Sequence, residues 1–475
     1  MKLSIAYLND VHGYLEPHYE LIFDAESRKT RIMGGYSRIY SLIRNIRKEN
    51  LNTLVFDGGD TFHGTLPVVK SKGETLVPVL NKIGFNAMVG HWDFAYGPEQ
   101  LLKLTGQLNY PVLGINVYKN DGTLFLKPFI IKEVEGVKIA IIGICSNIID
   151  KTMPENFSDG LNITDGTDEL PRYIDRVKRE GADLVFLLSH NGYPQDIKML
   201  SEIKGIDVCL SAHTHNRLFE PSLINNAILI QCGCHGSFLG HLELTIMDRK
   251  IHSYKYQLIP VNDTIVPDQE MDQLIEAITE PYQSLKKEQV GETRILLDRY
   301  NTLESSMDDL LLQSIQEASS ADIAFSNGWR YGVPIPAGPV NRWDLFNIIP
   351  MNPPVSVVDL TGKEILDMLE ENLERAFSAD PMKQMGGYVK RCLGLTAYMR
   401  IENPKDCRLQ DVFIGNERLT PGGIYKTAFV TQQGVPKNLG KNRIDLSIHV
   451  VDALTSFLRK NSPYRPDLPK SFCLI

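Results

Sequence analysis

Aspartate and histidine recur in five short polar motifs along the first half of the chain: Asp10-Val11-His12, Asp57-Gly58-Gly59-Asp60, Gly90-His91-Trp92-Asp93, Ser189-His190-Asn191-Gly192 and Ala212-His213-Thr214-His215. Carboxylate and imidazole together suit borderline divalent cations such as Mn²⁺, Zn²⁺, Fe²⁺ or Co²⁺. Two such ions sharing one carboxylate can acidify a water, so the chemistry implied is metal-dependent hydrolysis. Asp60 is the natural shared carboxylate, because Gly58-Gly59 lets the backbone approach closely; Asp57 is read as orienting this turn. Successive residues of an extended segment project to opposite faces, and residues two apart to the same face. For His213 and His215 to serve different ions, two ions must straddle a strand end, or a turn must lie there, and the same holds for Asp10 and His12. A single histidine is more often an ordinary core or surface residue than a ligand, and His18, His63, His235, His241, His252 and His449 are read that way.

The motifs need elements to position them. Apolar runs at 3–8, 53–56, 137–144, 183–188 and 208–210 read as buried strands, and each of the five motifs follows or adjoins such an apolar run. Helical periodicity at 36–48, after Gly34-Gly35, and at 168–180, before Gly181, alternates with them. Strand followed by helix, repeated, gives an α/β layered domain whose strand carboxyl ends share a crevice. Residues 1–262 are assigned to this domain and 263–290 to a connecting helix. Residues 291–475 form a second, α+β domain with helices at 308–318 and 363–377.

Composition narrows the partners. A chain of 475 residues supports two large domains or three small ones. Its net charge of −8 is spread without a basic block, which gives no support to a nucleic-acid polymer or an anionic membrane as partner. Seven cysteines, an odd number in no paired spacing, argue against a disulfide framework. The first motif follows the apolar run at 3–8 at once, and no run approaches a membrane span, so a cytoplasmic location is expected.

The order of the motifs resembles the calcineurin-like metallophosphatase superfamily and, within it, the two-domain 5′-nucleotidase family. The likeness extends into the second domain through residues 322–330 and 357–370. It implies a layered α/β/β/α metallophosphatase domain followed by an α+β 5′-nucleotidase-type domain. It also implies two divalent ions, Mn first among Zn, Fe and Co. One ion would take Asp10, His12, Asp60 and His215; the other would take Asp60, His91, His190 and His213. The catalytic set it implies is Asp60, His91 and Arg330, acting on a small anionic phosphoester of nucleotide type. Substrate binding falls to Asn327 and Arg330, in Asn327-Gly328-Trp329-Arg330, with Arg391 and Trp92 as further candidates; for Arg391 a surface salt bridge is the equal alternative.

One motif departs from the family pattern Gly-Asn-His-Glu-Phe-Asp-Tyr-Gly. Anchored on Tyr96-Gly97, this chain has His91 at the metal-binding Asn, Trp92 at the acidic His and Ala95 at its Asp partner. The usual proton donor is missing, which matters when the leaving group is a basic alkoxide. The same wording, with Gly233 to Gly240 and residues 377–394, is similar to the SoxB thiosulfohydrolases, and implies as the alternative release of sulfate from an S-thiosulfonate on a carrier protein. Thr431 to Pro436 stand where the family places its base-clamping aromatic residue. A non-catalytic metal-binding protein is the remaining reading.

Overall fold

The computed structural model describes residues 1–25 and 27–475. The chain divides into two compact units, Met1–Glu280 and Pro281–Ile475. Two sheets form the centre of the first. One runs Lys250–Pro260, Phe238–Met247, Lys2–Leu8, Thr53–Asp57, Ala87–Met88, with the last three strands parallel. The other runs Ser222–Ile224, Ala227–Ile230, Val208–Ser211, Leu184–Ser189, Val137–Ile144, Phe129–Val134, with four parallel strands inside two antiparallel edges.

The apolar runs are continuous because these strands are covered on both faces, and their successive residues go to different cores. Leu3, Ile5 and Tyr7 join Ile139, Ile141, Leu184, Phe186, Leu188, Val208 and Leu210 in one cluster between the sheets. Ala6, Leu8 and Val55 face the other way, against Tyr36, Ile39 and Ile43 of helix Tyr36–Glu49. Ala140, Ile142, Val185, Leu187 and Cys209 pack against Leu170, Ile174 and Val177 of helix Glu169–Arg179 and Met199 and Leu200 of helix Tyr193–Glu202. The result is the four-layer α/β/β/α arrangement. The two long antiparallel strands, Phe238–Met247 and Lys250–Pro260, add to the parallel set expected from the sequence, as does the hairpin of His18–Phe23 and Arg28–Met33.

The stretch expected as a connector is divided. Helix Gln269–Thr279, capped by the Asp268 carboxylate on the Met271 amide, buries Met271 and Ile275 in the same core as Ile39 and Ile43, and so belongs to the first unit. An apolar helical face is stabilised by burial, by roughly 1.5–3 kcal/mol per large side chain.

The second unit is α+β. Its main sheet runs Arg391–Leu393, Ile323–Ser326, Ile424–Phe429, Pro354–Thr361, Lys441–His449. Helix Gly362–Phe377 starts from a capping box in which the Thr361 side chain takes the Glu364 amide and Glu364 takes the Thr361 amide, a device worth about 1 kcal/mol. Helix Ser306–Ser319 is capped by Ser305. Among the described residues all seven cysteines are free, and no helix is long and apolar enough to cross a membrane.

Candidate metal centre

Each motif lies beyond the carboxyl end of a parallel strand. Lys2–Leu8, Thr53–Asp57 and Ala87–Met88 deliver Asp10 and His12, Asp60, and His91 from the first sheet; Leu184–Ser189 and Val208–Ser211 deliver His190, and His213 with His215, from the second. Two groups of four result: Asp60, His91, His190 and His213; and Asp10, His12, Asp60 and His215. Within each group the potential ligand atoms lie within 4.8 Å of one another, and Asp60 is common to both. All seven sequence-predicted ligands are thus brought together.

The turns that achieve this are unusual in their backbone. Asp10, His12, Asp60, His213 and His215 all have positive φ, between 51° and 71°. For residues other than glycine that conformation is uncommon and is held only where the surroundings fix it. Gly59, at φ 86°, is a requirement of close approach: a Cβ there would lie 2.6 Å from the Val89 carbonyl oxygen. Around these turns a polar net is drawn tight. Asp93 accepts hydrogen bonds from the amides of Asp60, Thr61, Phe62 and His91, at 2.9–3.1 Å. Asp57 accepts from the Gly59 amide and the Thr61 hydroxyl, both at 2.9 Å. Asn9 donates to Asp10 and to the Gly233 carbonyl, and takes the Cys232 amide. The orienting role of Asp93 was not assigned from sequence, although its place two residues after His91 could have suggested it.

Spacings among the side chains decide what the cluster can hold. His91 Nδ1 and His190 Nε2 stand 3.3 and 3.4 Å from Asp60 carboxylate oxygens, and His12 Nε2 stands 3.7 Å away. His215 Nε2 is 3.3 Å from Asp10 Oδ1 and 3.3 Å from His12 Nε2; His190 Nε2 is 3.6 Å from Asp10. Good hydrogen bonds are shorter, about 2.7–3.2 Å. These lengths sit closer to the roughly 3.3–3.4 Å edges of tetrahedra whose metal bonds are about 2.0–2.1 Å. His190 Nδ1 lies 2.6 Å from the Gly58 carbonyl, which fixes the proton there and leaves Nε2 as a lone pair. Nε2 of His190 and of His91 are buried without a hydrogen-bond partner among the described residues. The residues present therefore fit a pair of cations.

The buried acids and imidazoles shift one another, and a cation would have to displace the extra proton that the raised His190 and His215 hold. Burial pushes the Asp60 carboxyl up, but His91, His190 and His12 more than offset it and hold it well below the usual range. Burial lowers His12 to about 3, against the pull of Asp60. His190 and His215 are raised to about 9: burial opposes this, and it is outweighed by Asp60 and Asp10 at His190 and by Cys234 and Asp10 at His215.

Other predicted residues lie elsewhere. The half-buried Trp92 indole stacks on the buried His63 ring at 4.6 Å and meets Phe157 edge-on, while its amide donates to Asp60 Oδ1 at 2.7 Å. In the second unit Asn327 and Arg330 are half-buried beside Gly328, and the Arg330 guanidinium lies 5.8 Å over the Tyr388 ring. Arg391 requires correction as an anion-binding candidate. It is 2% exposed; Nε donates to Asp308 at 3.1 Å and the other two nitrogens to the carbonyls of Thr302 and Asn301. Its donors are spent inside the unit, in a salt bridge to Asp308 that is buried and not at the surface as the alternative expected.

Sequence reasoning also set aside three histidines that the structure buries near the centre. His63 lies under Trp92. His18 and His235 form a third group with Glu20, carried on the hairpin.

Comparison with known proteins gives the same two parts. Residues 3–217 match the calcineurin-like phosphoesterase family and 286–431 the 5′-nucleotidase C-terminal domain. The chain is 24% identical over 465 residues to the trifunctional nucleotide phosphoesterase protein YfkN of Bacillus subtilis, covering 87% of this chain but 30% of that protein. With the 5′-nucleotidase of Vibrio parahaemolyticus it shares 23% identity over 97% of this chain and 90% of the relative. Among solved structures, the sulfate thiohydrolase SoxB of Thermus thermophilus superposes with a TM-score of 0.92 at 23% identity, covering 100% of this chain and 96% of that one. The 5′-nucleotidase precursor of Thermus thermophilus gives 0.89 at 20% identity, covering 100% and 99%. The chain belongs to the two-domain hydrolase family that joins a calcineurin-like metallophosphatase domain to a 5′-nucleotidase C-terminal domain.

Proposed function

We propose that this protein hydrolyses a small phosphoester of the nucleotide type, using two divalent cations held by Asp10, His12, Asp60 and His215 and by Asp60, His91, His190 and His213. One observation carries the reading: two complete donor sets share a single carboxylate, that of Asp60, at the meeting of five strand ends. The cations, Mn²⁺ first among the candidates, supply an acidified water and neutralise charge developing on the reacting group.

The protein's own groups do the positioning. Asp93 and Asp57 hold the Asp60 turn through amide and hydroxyl donors, so that its carboxylate stays between the two donor sets. The Gly58 carbonyl keeps the His190 proton on Nδ1. Arg330 is assigned the substrate's anionic oxygens, which a guanidinium meets with paired hydrogen bonds. Asn327 and Trp92 are assigned to the substrate as further contacts. The test is a panel assay on Mn²⁺-loaded protein. Nucleoside monophosphates and nitrophenyl phosphate are expected to turn over, and Asp60→Asn to stop them; failure on every phosphoester defeats the reading.

A second reading rests on Trp92, which occupies the place of the family's proton donor. A thiolate, whose conjugate acid has a pKa of about 8.5, leaves without protonation far more readily than the much more basic alkoxide. Sulfate release from S-thiosulfonates, carried on a protein, with phosphoesters left intact, is the outcome that installs it.

A further inference from the structure

His235, inside the Gly233 to Gly240 segment but read from sequence as an ordinary histidine, has the surroundings of a metal-site residue. Its Nδ1 faces the Glu20 carboxylate at 3.3 Å and the Cys234 sulfur at 3.4 Å. Glu20 is itself fixed: Arg217 Nη2 lies 2.9 Å from one oxygen, the Leu21 amide donates to it at 2.8 Å, and the Ser237 hydroxyl donates to the other oxygen at 2.7 Å. A carboxylate only accepts, so the proton of His235 sits on Nδ1. Carboxylate on one ring nitrogen and an open second nitrogen is the arrangement by which proteins orient imidazoles toward metals. His235 is 1% exposed, and its Nε2 is buried without a hydrogen-bond partner among the described residues.

Three further observations tie it to the Asp10 side of the centre. The His235 amide donates to the Asp10 carbonyl at 2.8 Å. Its ring centroid is 6.2 Å from that of His12 and 6.3 Å from that of His215. Its backbone has φ 59°, the same left-handed conformation as five of the seven candidate ligands.

We infer that Glu20 and His235 are part of the metal centre, with His235 a positioning residue that acts through its open Nε2 on the cation that Asp10, His12, Asp60 and His215 would hold. The inference rests on the two-cation reading above. A separate cation among His18, Glu20 and His235 is the rival, and it is disfavoured because both Glu20 oxygens already take donors from Arg217, Leu21 and Ser237.

The test is calorimetric titration of chelator-stripped full-length protein with Mn²⁺, with bound-Mn²⁺ electron paramagnetic resonance as second readout. His12→Asn marks one site and His91→Asn the other. His235→Asn, a residue that tolerates the left-handed backbone, is expected to weaken the His12-marked site by about 10- to 100-fold and leave the other within threefold. Glu20→Gln keeps the shape of the side chain and is expected to act in the same direction, which guards against a folding defect in the first variant. Loss at the His91-marked site, equal loss at both, no change in either variant, or a third Mn²⁺ equivalent that Glu20→Gln removes overturns the inference. A parent that binds no Mn²⁺ overturns it together with the two-cation reading. A parent that binds two ions yet cleaves no phosphoester defeats the proposed function alone, while the affinity comparison still decides this one.

Discussion

Each unit buries a cluster of charge, and the two clusters solve the problem differently. In the second, the Asp308 carboxylate takes Nε of Arg299 at 3.0 Å, Nε of Arg391 at 3.1 Å and the Ser305 hydroxyl at 2.6 Å, while the remaining Arg391 nitrogens close on backbone carbonyls. In the first, two carboxylates and five imidazoles stand mostly 3.3–3.7 Å apart, with ring nitrogens left open. Guanidinium supplies five donors in a fixed fork and closes a network on itself. Carboxylate and imidazole, held on strained turns, leave a gap of a cation's size. A buried charge is a site candidate when its neighbours stop short of satisfying it.

The comparison can be broken in four places. The largest effect is expected from Asp60→Asn: hydrolysis falls on the order of 10³-fold or more, the scale of losing a preorganised electrostatic partner. Its thermal transition also stops responding to Mn²⁺, whereas the parent gains about 2.7 kcal/mol at a hundredfold excess over Kd. Next, Arg391→Leu leaves Asp308 facing fewer partners and is expected to cost about 3–5 kcal/mol in chemical denaturation. Mn²⁺ affinity should not change, and if it drops, Arg391 is more than a brace. Third, Arg330→Ala should lower kcat/KM for phosphoesters about 10- to 100-fold, the loss of a charge-assisted hydrogen bond of roughly 1.5–3 kcal/mol, with little change in Tm. Unchanged kinetics would remove Arg330 from the substrate's contacts.

The fourth is a pH dependence in the second unit. Burial, with Asp308 and Glu304, pushes the Asp309 carboxyl up to about 7 against the pull of Arg391. The folded chain therefore keeps a proton that the unfolded chain has released above about 4. Stability contributed by this group falls as pH rises from about 4 to about 7 and then levels. Asp309→Asn should flatten that slope in a pH series of melting curves; an unaltered slope places the titration elsewhere.

Much of the centre was legible because its ligands follow apolar runs in chain order, and a strand that is buried on both faces announces where it ends. The same runs gave the parallel strands. What stayed hidden came from elements whose pattern is mixed. Strand His18–Phe23 buries Glu20 while Tyr19 and Phe23 are exposed. That inversion was the available signal for Glu20, since an acid kept inside at the expense of aromatics needs a partner. The fate of Arg391 depended on Asp308, 83 residues earlier, a pairing that no local spacing encodes. The connector helix declared its apolar face but not the core that the face would join.

The left-handed turns restrict which replacements the centre can accept. Asp, Asn and His are the non-glycine residues that visit this backbone region most readily. Glutamate and cysteine are competent donors to the same ions, yet at positions 10, 12, 60, 213 or 215 they would meet conformational strain of order 1–3 kcal/mol before any coordination bond is made. Redesign of the metal preference, and natural drift at these positions, is thereby confined to a three-letter alphabet set by the main chain.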